Sequence, residues 1–569
     1  MKDGRRVSSS DTLEINEDEI KSINISDCIK YLGAPIATNR TSKMKFSENL
    51  LIKVRHQINQ LLLSPLTLSQ SLDAIRRLII PQLDFIFMNG VISLSFVKKL
   101  DENIRGLIQK KIKCPGLPIE VVHSDWKNGG MNIPRLEHRL ELLQIRSFLG
   151  LVTSKDERIR NLIKHNIIDE AHKRHFLRSD DNSFIGFNKT SLGSTNALKT
   201  NTTFTRALQA ADKLNISIKV EDEGQNDPES LDWISDSPLT IFKLTTVVDN
   251  DGKIINAKSF LPTMNLLLDE QYSSDLSSKE FRCHSFDSLK NSKLSNFFIG
   301  NCNAPTSDCL VKFAFQARTN SLLTEEVEHK RNLNPSDKCR ACGDRFTGSL
   351  MHRLNKCNAS MVRITARHNA IARVISDGLK DMLGFNCPPL NENSTVFIRD
   401  EEILPERSRN MKPDIWFIEE DVQTHKRTIN IIEITCPYGM QTDTAQGRRS
   451  SLEIREEEKV NKYSKLIDDI KDTWSIDSNL YVIVVSSLGA ITKNTVKTLK
   501  KLFITKERSK LIAKRCVIAA IRGSWAIFNG RDIRNSTNNR NNNASDDTDH
   551  ISSNDLIDEE DGDILNNDN

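Results

Sequence analysis

Nowhere in the 569 residues is there a run approaching the ~20 apolar positions needed to span a bilayer. The opening stretch, MKDGRRVSSSDTLEINEDE, also lacks the apolar segment of a secretory signal. Both absences argue against a membrane or secreted protein, so a cytosolic or nuclear location with no membrane partner is expected. No internal repeat is evident, which sets aside solenoids and other repeat architectures. A disulfide framework is not expected either. The eleven cysteines are scattered except for one tight group, and in a reducing compartment such a group points to thiols or a metal site.

What remains is an ordinary folded composition, 38% hydrophobic and 27% charged, in a chain long enough for about three or four domains. The net charge of +4 hides an asymmetry: residues 541–569 hold ten acidic residues and no Lys or Arg, leaving +14 on the rest. A basic body suits a nucleic-acid partner, and equally a solubilising surface.

Along the chain, residues 1–27 read as a polar lead-in. Residues 28–155 are largely helical in pattern, with apolar positions at helical spacing in SLDAIRRLIIPQLDFIF, VKKLDENIRGLIQKKI and LEHRLELLQIRSFLGLV and a Gly-Gly turn in DWKNGGMNIP. Residues 156–335 mix short amphipathic pieces with a polar loop near 179–204. A cysteine cluster occupies 336–362. Residues 363–530 follow with a long helix, strand-like runs at DIWFI, TINIIEIT and LYVIVVSS, and a charged helix near 448–472 before the third run. Residues 531–569, rich in Asn, Asp and Ser, are expected to be disordered. The fold class that follows is a multidomain α+β protein.

Cys339, Cys342, His352 and Cys357 are spaced C-x2-C-x9-H-x4-C. Thiolates and imidazole are the ligands tetrahedral Zn²⁺ prefers, and four of them leave no open position, so the ion would be structural. Gly343 after the first pair relieves the turn. Reduced surface thiols beside an incidental histidine are the alternative.

Asp414 opens the second chemical feature. Lys412-Pro413-Asp414 leads into IWFI, and the chain returns as TINIIEIT after a polar turn centred between Gln423 and Thr424. In an antiparallel pair with that turn, Asp414 and Glu433 face each other with Cβ atoms about 4.5–5.5 Å apart. Two carboxylates so placed repel, and Glu433 interrupts an apolar run where an unpaired charge is expensive to bury. A divalent cation resolves both problems, and oxygen ligands favour Mg²⁺. Two solvated acids on an exposed hairpin edge are the competing reading. The charged helix beyond carries Lys459 and Lys462, three residues apart, with Tyr463 beside them. A lysine there could orient a metal-bound water. On spacing alone, a solvated charged helix explains the same residues.

In order, these motifs resemble the C-terminal half of a non-LTR retrotransposon polyprotein of the class with a restriction-like endonuclease, the R-two type. IKYLGAPI at 29–36 resembles the last block of the reverse-transcriptase palm, and LDENIRGLIQKKIKCPGLP with GGMNIPRL resembles the thumb. ARTNSLLT resembles the connector, and CRAC with HRLNKC and RHN resembles the CCHC knuckle and its helix. KPDIWF, IIEIT and KVNKY resemble a nuclease core of the PD-(D/E)XK type, and VIVVSSLGAI a later strand of it. The resemblance implies a palm end and helical thumb over 28–155, a connector over 156–335, a zinc knuckle over 336–362 and an α/β endonuclease over 363–530. It gives Asp414 and Glu433 the catalytic metal. The usual lysine two residues after the second acid is Thr435 here, and the retrotransposon variants point instead to Lys459 or Lys462, with Tyr463 nearby. Arg367, His368 and Lys412 are implied as nucleic-acid contacts.

A reverse transcriptase also needs a Tyr/Phe-x-Asp-Asp loop, and no such tetrapeptide occurs; the Asp-Asp pairs at 180–181, 468–469 and 546–547 lie in polar or helical settings. The expected product is therefore a truncated element protein with structural Zn²⁺ and catalytic Mg²⁺, target DNA and element RNA as partners, no small-molecule ligand and a nuclear site of action. It would nick target DNA for target-primed reverse transcription without polymerising by itself. A catalytically dead nucleic-acid binder using thumb and knuckle is the alternative.

Overall fold

The computed structural model describes residues 40–173, 202–214, 259–279, 285–300, 306–343, 346–383, 410–420, 426–444, 447–503 and 505–537, with short segments, mostly strands, in between. The fold is mostly helical α+β with small sheets. Among the described residues no helix is long and apolar enough to cross a membrane.

In the first half, α1 (Arg40–Leu63) buries Leu51, Val54, Ile58 and Leu62 at helical spacing. It packs on α2 (Leu94–Ile112), whose buried Val97, Leu100, Ile104, Ile108 and Ile112 follow the same period. A third helix, α3 (Leu136–Val152), has no cap from its own Arg135. Asp101 of α2 supplies one, accepting hydrogen bonds from the amides of Leu136 at 3.0 Å and Glu137 at 3.2 Å. The turn before α3 requires its glycines: Gly129 has φ +90°, and a Cβ on Gly130 would lie 2.2 Å from the Ser124 carbonyl oxygen. The apolar run 71–87 is not one helix. Pro81 cannot donate to a helical ladder, and the chain passes from Leu68–Ala74 through a π turn (Ile75–Ile79) and a 3-10 turn (Ile80–Leu83) into Asp84–Asn89.

Residues 156–335, which carry little pattern, contain further helices, among them α4 (Phe260–Ser277) and α5 (Asp308–Arg318). Arg318 at the end of α5 is fully buried. Its guanidinium donates to the carbonyl of Leu488 at 2.9 and 3.1 Å, to Ser295 O at 3.0 Å and to Asn296 Oδ1 at 2.9 Å, and it lies over the Phe298 ring. One arginine thereby ties α5 to the loop after the last strand of the main sheet.

That sheet has the order β4-β3-β2-β1, formed by β1 (Val396–Phe397), β2 (Ile415–Glu420), β3 (Arg427–Thr435) and β4 (Asp477–Val484). β2 and β3 are antiparallel with Ile415 opposite Ile432, so the same register carried one residue further sets Asp414 across from Glu433. β3 and β4 are parallel and need a crossover, which a short hairpin (Gln441–Thr444 and Gly447–Ser450) and α8 (Ser451–Trp474) provide. Helices cover both faces, which is why β3 is buried from Ile429 through Ile434 instead of alternating. On one face, Trp416, Ile429 and Ile431 pack under Tyr463, Leu466 and Ile470 of α8. On the other, Ile415, Phe417, Ile432, Ile434 and Ile483 meet Ile371, Ile375 and Leu379 of α7 (Met361–Leu383) and Ile512, Cys516 and Ala520 of α10 (Lys506–Thr537). Helix α6 (Leu350–Asn355) precedes α7, and α9 (Lys493–Leu502) precedes α10.

The helical first half and this layered unit share a core: Leu310 and Phe315 belong to the same apolar cluster as Leu452, Val482, Val484, Val517 and Ile521. Residues 531–537, placed by composition in a disordered tail, are the last turns of α10. Residues 538–569, most of the polar lead-in, most of the 179–204 loop and the turn around Gln423 and Thr424 lie outside the described residues.

Candidate functional site

Two constellations stand out, a cysteine–histidine knuckle and a carboxylate pair on the main sheet. In the knuckle, an antiparallel bridge between Lys338 and Thr347 folds the loop back on itself, and the Cys339 amide donates to Phe346 O at 2.9 Å. Gly343 takes φ +79°, which lets the chain turn directly after the CRAC pair. Ser349 caps α6 by accepting from the His352 amide at 3.2 Å, and the Cys357 amide donates back to His352 O at 2.8 Å. The four ligand atoms of Cys339, Cys342, His352 and Cys357 consequently all lie within 4.8 Å of one another.

The sulfurs of Cys339 and Cys357 are 3.9 Å apart, and Cys342 Sγ is 3.3 Å from His352 Nε2. A tetrahedron with Zn–S bonds of about 2.3 Å has S···S edges of about 3.8 Å, so this cluster could hold zinc as it stands. Burial and the neighbouring Cys339 and Cys357 sulfurs push the Cys342 thiol up to about 11, the behaviour of crowded thiols that a cation would relieve. The knuckle also touches the sheet unit. Arg353 of α6 lies over the Phe528 ring of α10, and Asn355 Nδ2 donates to the carbonyl of Cys436, the residue after β3, at 2.8 Å.

At the carboxylate pair, Glu433 is 3% exposed. Its Oε1 accepts from Lys459 Nζ, and its Oε2 is buried with no hydrogen-bond partner among the described residues. Burial first, and the neighbouring Asp414 charge second, push the Glu433 carboxyl above its ordinary range, with Lys459 and then the Tyr463 hydroxyl pulling it partly back. Among the described residues, the hydrogen-bonding contacts of Asp414 fall on one oxygen. Oδ2 accepts from the Ile434 amide at 2.7 Å and lies 3.3 Å from His368 Nε2. The same His368 nitrogen is 3.0 Å from the Ile434 carbonyl. The hydrogen bond to Asp414 raises His368 to about 9.

Lys459 reaches this pair because of its place on α8. It stands four residues before Tyr463 and seven before Leu466, on the seam that packs against the sheet. Lys462 is a step off that seam and exposed; its Nζ lies 3.4 Å from the Tyr463 hydroxyl and over the Tyr463 ring. Tyr463 is buried, and its hydroxyl donates to Lys412 O at 2.9 Å, fixing the backbone just before Pro413-Asp414.

The three expected nucleic-acid contacts separate. The Lys412 side chain is exposed, and His368 sits against Asp414. Arg367 is 2% exposed; it donates to Ser524 Oγ at 2.9 Å and packs on Gly523, so its guanidinium fills the α7–α10 interface and does not face solvent. The pairing of His368 with Asp414 had no signal in spacing, because 46 residues separate the two.

No family model matches the chain. A stretch of 141 residues is 29% identical to the retrovirus-related Pol polyprotein from type-2 retrotransposable element R2DM of Drosophila melanogaster. That stretch covers 25% of this chain and 13% of the relative's length, a partial similarity that supports a retrotransposon origin for the chain.

Proposed function

We propose that the chain is part of a non-LTR retrotransposon protein and that its C-terminal α/β unit is a metal-dependent DNA endonuclease of the PD-(D/E)XK type. The observation that carries this reading is a buried carboxylate, Glu433, set opposite Asp414 with Lys459 on one oxygen and, among the described residues, no hydrogen-bond partner on the other. A structural acid would have both oxygens satisfied. An orphaned oxygen beside a second carboxylate fits a hard divalent cation, and Asp414 Oδ1 with Glu433 would hold it. Mg²⁺ bound there would lower the pKa of an attacking water and offset charge on the phosphodiester.

The chain's own residues do the remaining work. Lys459, already on Glu433, positions the water and places positive charge where the phosphoryl oxygens become more negative. Tyr463 holds the Lys412 carbonyl and thereby the approach of Asp414, while the exposed Lys412 side chain is suited to a backbone phosphate. The knuckle, with zinc on Cys339, Cys342, His352 and Cys357, braces the segment after β3 through Asn355. In this reading the substrate is chromosomal DNA in the nucleus, and element RNA is a second partner. The nick supplies a 3′-OH for target-primed reverse transcription.

The test is nicking of supercoiled plasmid with and without Mg²⁺. Wild-type protein should nick only with the metal, and Asp414→Ala should lose the activity. Equal nicking by both proteins overturns the assignment. Salt-sensitive DNA binding without any metal-dependent nicking replaces it with a non-enzymatic binder.

A further inference from the structure

The hydrogen bonds around Asp414 divide its two oxygens between different tasks. A backbone carbonyl can only accept, so the contact of His368 Nε2 with Ile434 O at 3.0 Å requires a proton on that nitrogen. The same N–H lies 3.3 Å from Asp414 Oδ2, which also receives the Ile434 amide at 2.7 Å. His368 therefore bridges the two strands at one point: it grips the carbonyl of the residue after Glu433 and the carboxylate opposite Glu433. Among the described residues Asp414 Oδ1 accepts no hydrogen bond, and Glu433 Oε2 has no partner. These are the two oxygens left for a ligand.

We propose that His368 is a positioning residue that holds Asp414 in the orientation presenting Oδ1 beside Glu433 Oε2, and so preforms a divalent-cation site. This rests on the reading of the carboxylate pair as a metal site. The histidine contacts neither metal nor DNA; it acts through Asp414. Its anchorage suits that task. His368 follows the buried Arg367 on α7, and Ile371 and Ile375 of the same helix pack beneath β2 and β3. The imidazole is carried by a rigid element and is only 29% exposed. An invariant carboxylate angle matters because both oxygens of a freely rotating aspartate would otherwise compete for the backbone amide and the cation. Partners that orient a metal ligand in this way typically change metal affinity by about 10–100-fold when removed.

The experiment is titration of the full, zinc-loaded chain with Mn²⁺ alone, counting bound ion by electron paramagnetic resonance, alongside plasmid nicking as a function of Mg²⁺. His368→Ala should weaken Mn²⁺ binding by about 10–100-fold and shift the half-maximal Mg²⁺ for nicking upward by the same factor. At saturating Mg²⁺ its rate should return toward wild type, a concentration-dependent rescue that a merely misfolded variant cannot show. His368→Gln keeps an N–H donor and should recover most of the affinity, which also keeps the test informative if the alanine variant folds poorly. Asp414→Asn is the control for the underlying site. Mn²⁺ binding that needs Asp414 but is unchanged or tighter in both His368 variants overturns the positioning role and leaves the metal site standing. Wild-type protein that binds no Mn²⁺ beyond what Asp414→Asn binds overturns the site itself.

Discussion

Replacing Glu433 by glutamine should stabilise the metal-free protein while destroying metal binding. The carboxylate faces Asp414 across the strand pair, and two charges about 5 Å apart at an effective dielectric of about 20 repel by about 3 kcal/mol. Lys459 returns part of this, but its side chain is 29% exposed, so the pair is discounted for solvent screening, and a glutamine oxygen can still accept its hydrogen bond. The net gain for Glu433→Gln is about 1–2 kcal/mol at neutral pH without divalent metal. The pH dependence has a definite sign. An acid whose folded pKa lies above its unfolded value favours the fold below the unfolded pKa, near 4.5 for Glu, and loses that advantage as pH rises through the folded pKa. Each tenfold loss of acidity in the folded state costs about 1.4 kcal/mol once the group is ionised in both states. Wild type and variant should therefore be closest near pH 4.5 and diverge in the variant's favour toward pH 7. Hydrogen exchange of peptides spanning β2 and β3 reads this locally, free of transitions elsewhere in the chain. Added Mg²⁺ should protect those amides in wild type and leave the variant unchanged. A variant less protected than wild type at pH 7 without metal would refute the reasoning, because Glu433 would then be stabilising the strand pair and not straining it.

The knuckle and the buried arginine give sharper yes-or-no tests. Purified protein should contain about one zinc per chain, and Cys339→Ser should lose it together with protection of the Cys436 segment that Asn355 holds; unchanged zinc rejects the ligand set. Arg367→Ala should lower stability by about 2–3 kcal/mol through a cavity and the lost hydrogen bond to Ser524, whose hydroxyl keeps its bond to the Ser487 carbonyl, yet leave the salt dependence of DNA binding unaltered. A shallower salt slope would show that Arg367 neutralises a phosphate.

Local rules were legible where one element satisfies its own period. LEHRLELLQIRSFLGLV is the helix Leu136–Val152, and the antiparallel register through Ile415 and Ile432 is the one expected from placing the turn midway between Asp414 and Glu433. The knuckle's spacing was legible because all four ligands sit in one short loop. Tertiary choices were not. Nothing in the run 71–87 says how Pro81 divides it, since tertiary packing decides between a kinked helix and the observed π and 3-10 turns. The parallel pairing of β3 with β4 depends on a crossover of more than 40 residues and leaves no local trace. Arg367 and His368 are neighbours of similar character in sequence. Only the rotation of α7 buries one against Gly523 and turns the other toward Asp414.

Under the proposed endonuclease reading, the same logic accounts for Thr435 standing where a lysine is usual. Side chains alternate along β3, so residue 435 lies on the face of residue 433, toward α8. Lys459 arrives at Glu433 on that face from the helix, which makes a strand lysine redundant and leaves Lys462 outside the pair. Lys459→Ala should then reduce nicking by about 10²–10³-fold, the usual consequence of removing a preorganised electrostatic group, and Lys462→Ala by far less. Adding Thr435→Lys to Lys459→Ala puts an ammonium back on the same face, two residues beyond Glu433, and should recover at least tenfold of the lost rate. Metal affinity by Mn²⁺ titration should stay near wild type throughout, because neither lysine is a ligand. If Lys459→Ala nicks normally while Lys462→Ala does not, the ion pair with Glu433 is a resting contact, and the working lysine comes from the exposed position when DNA binds.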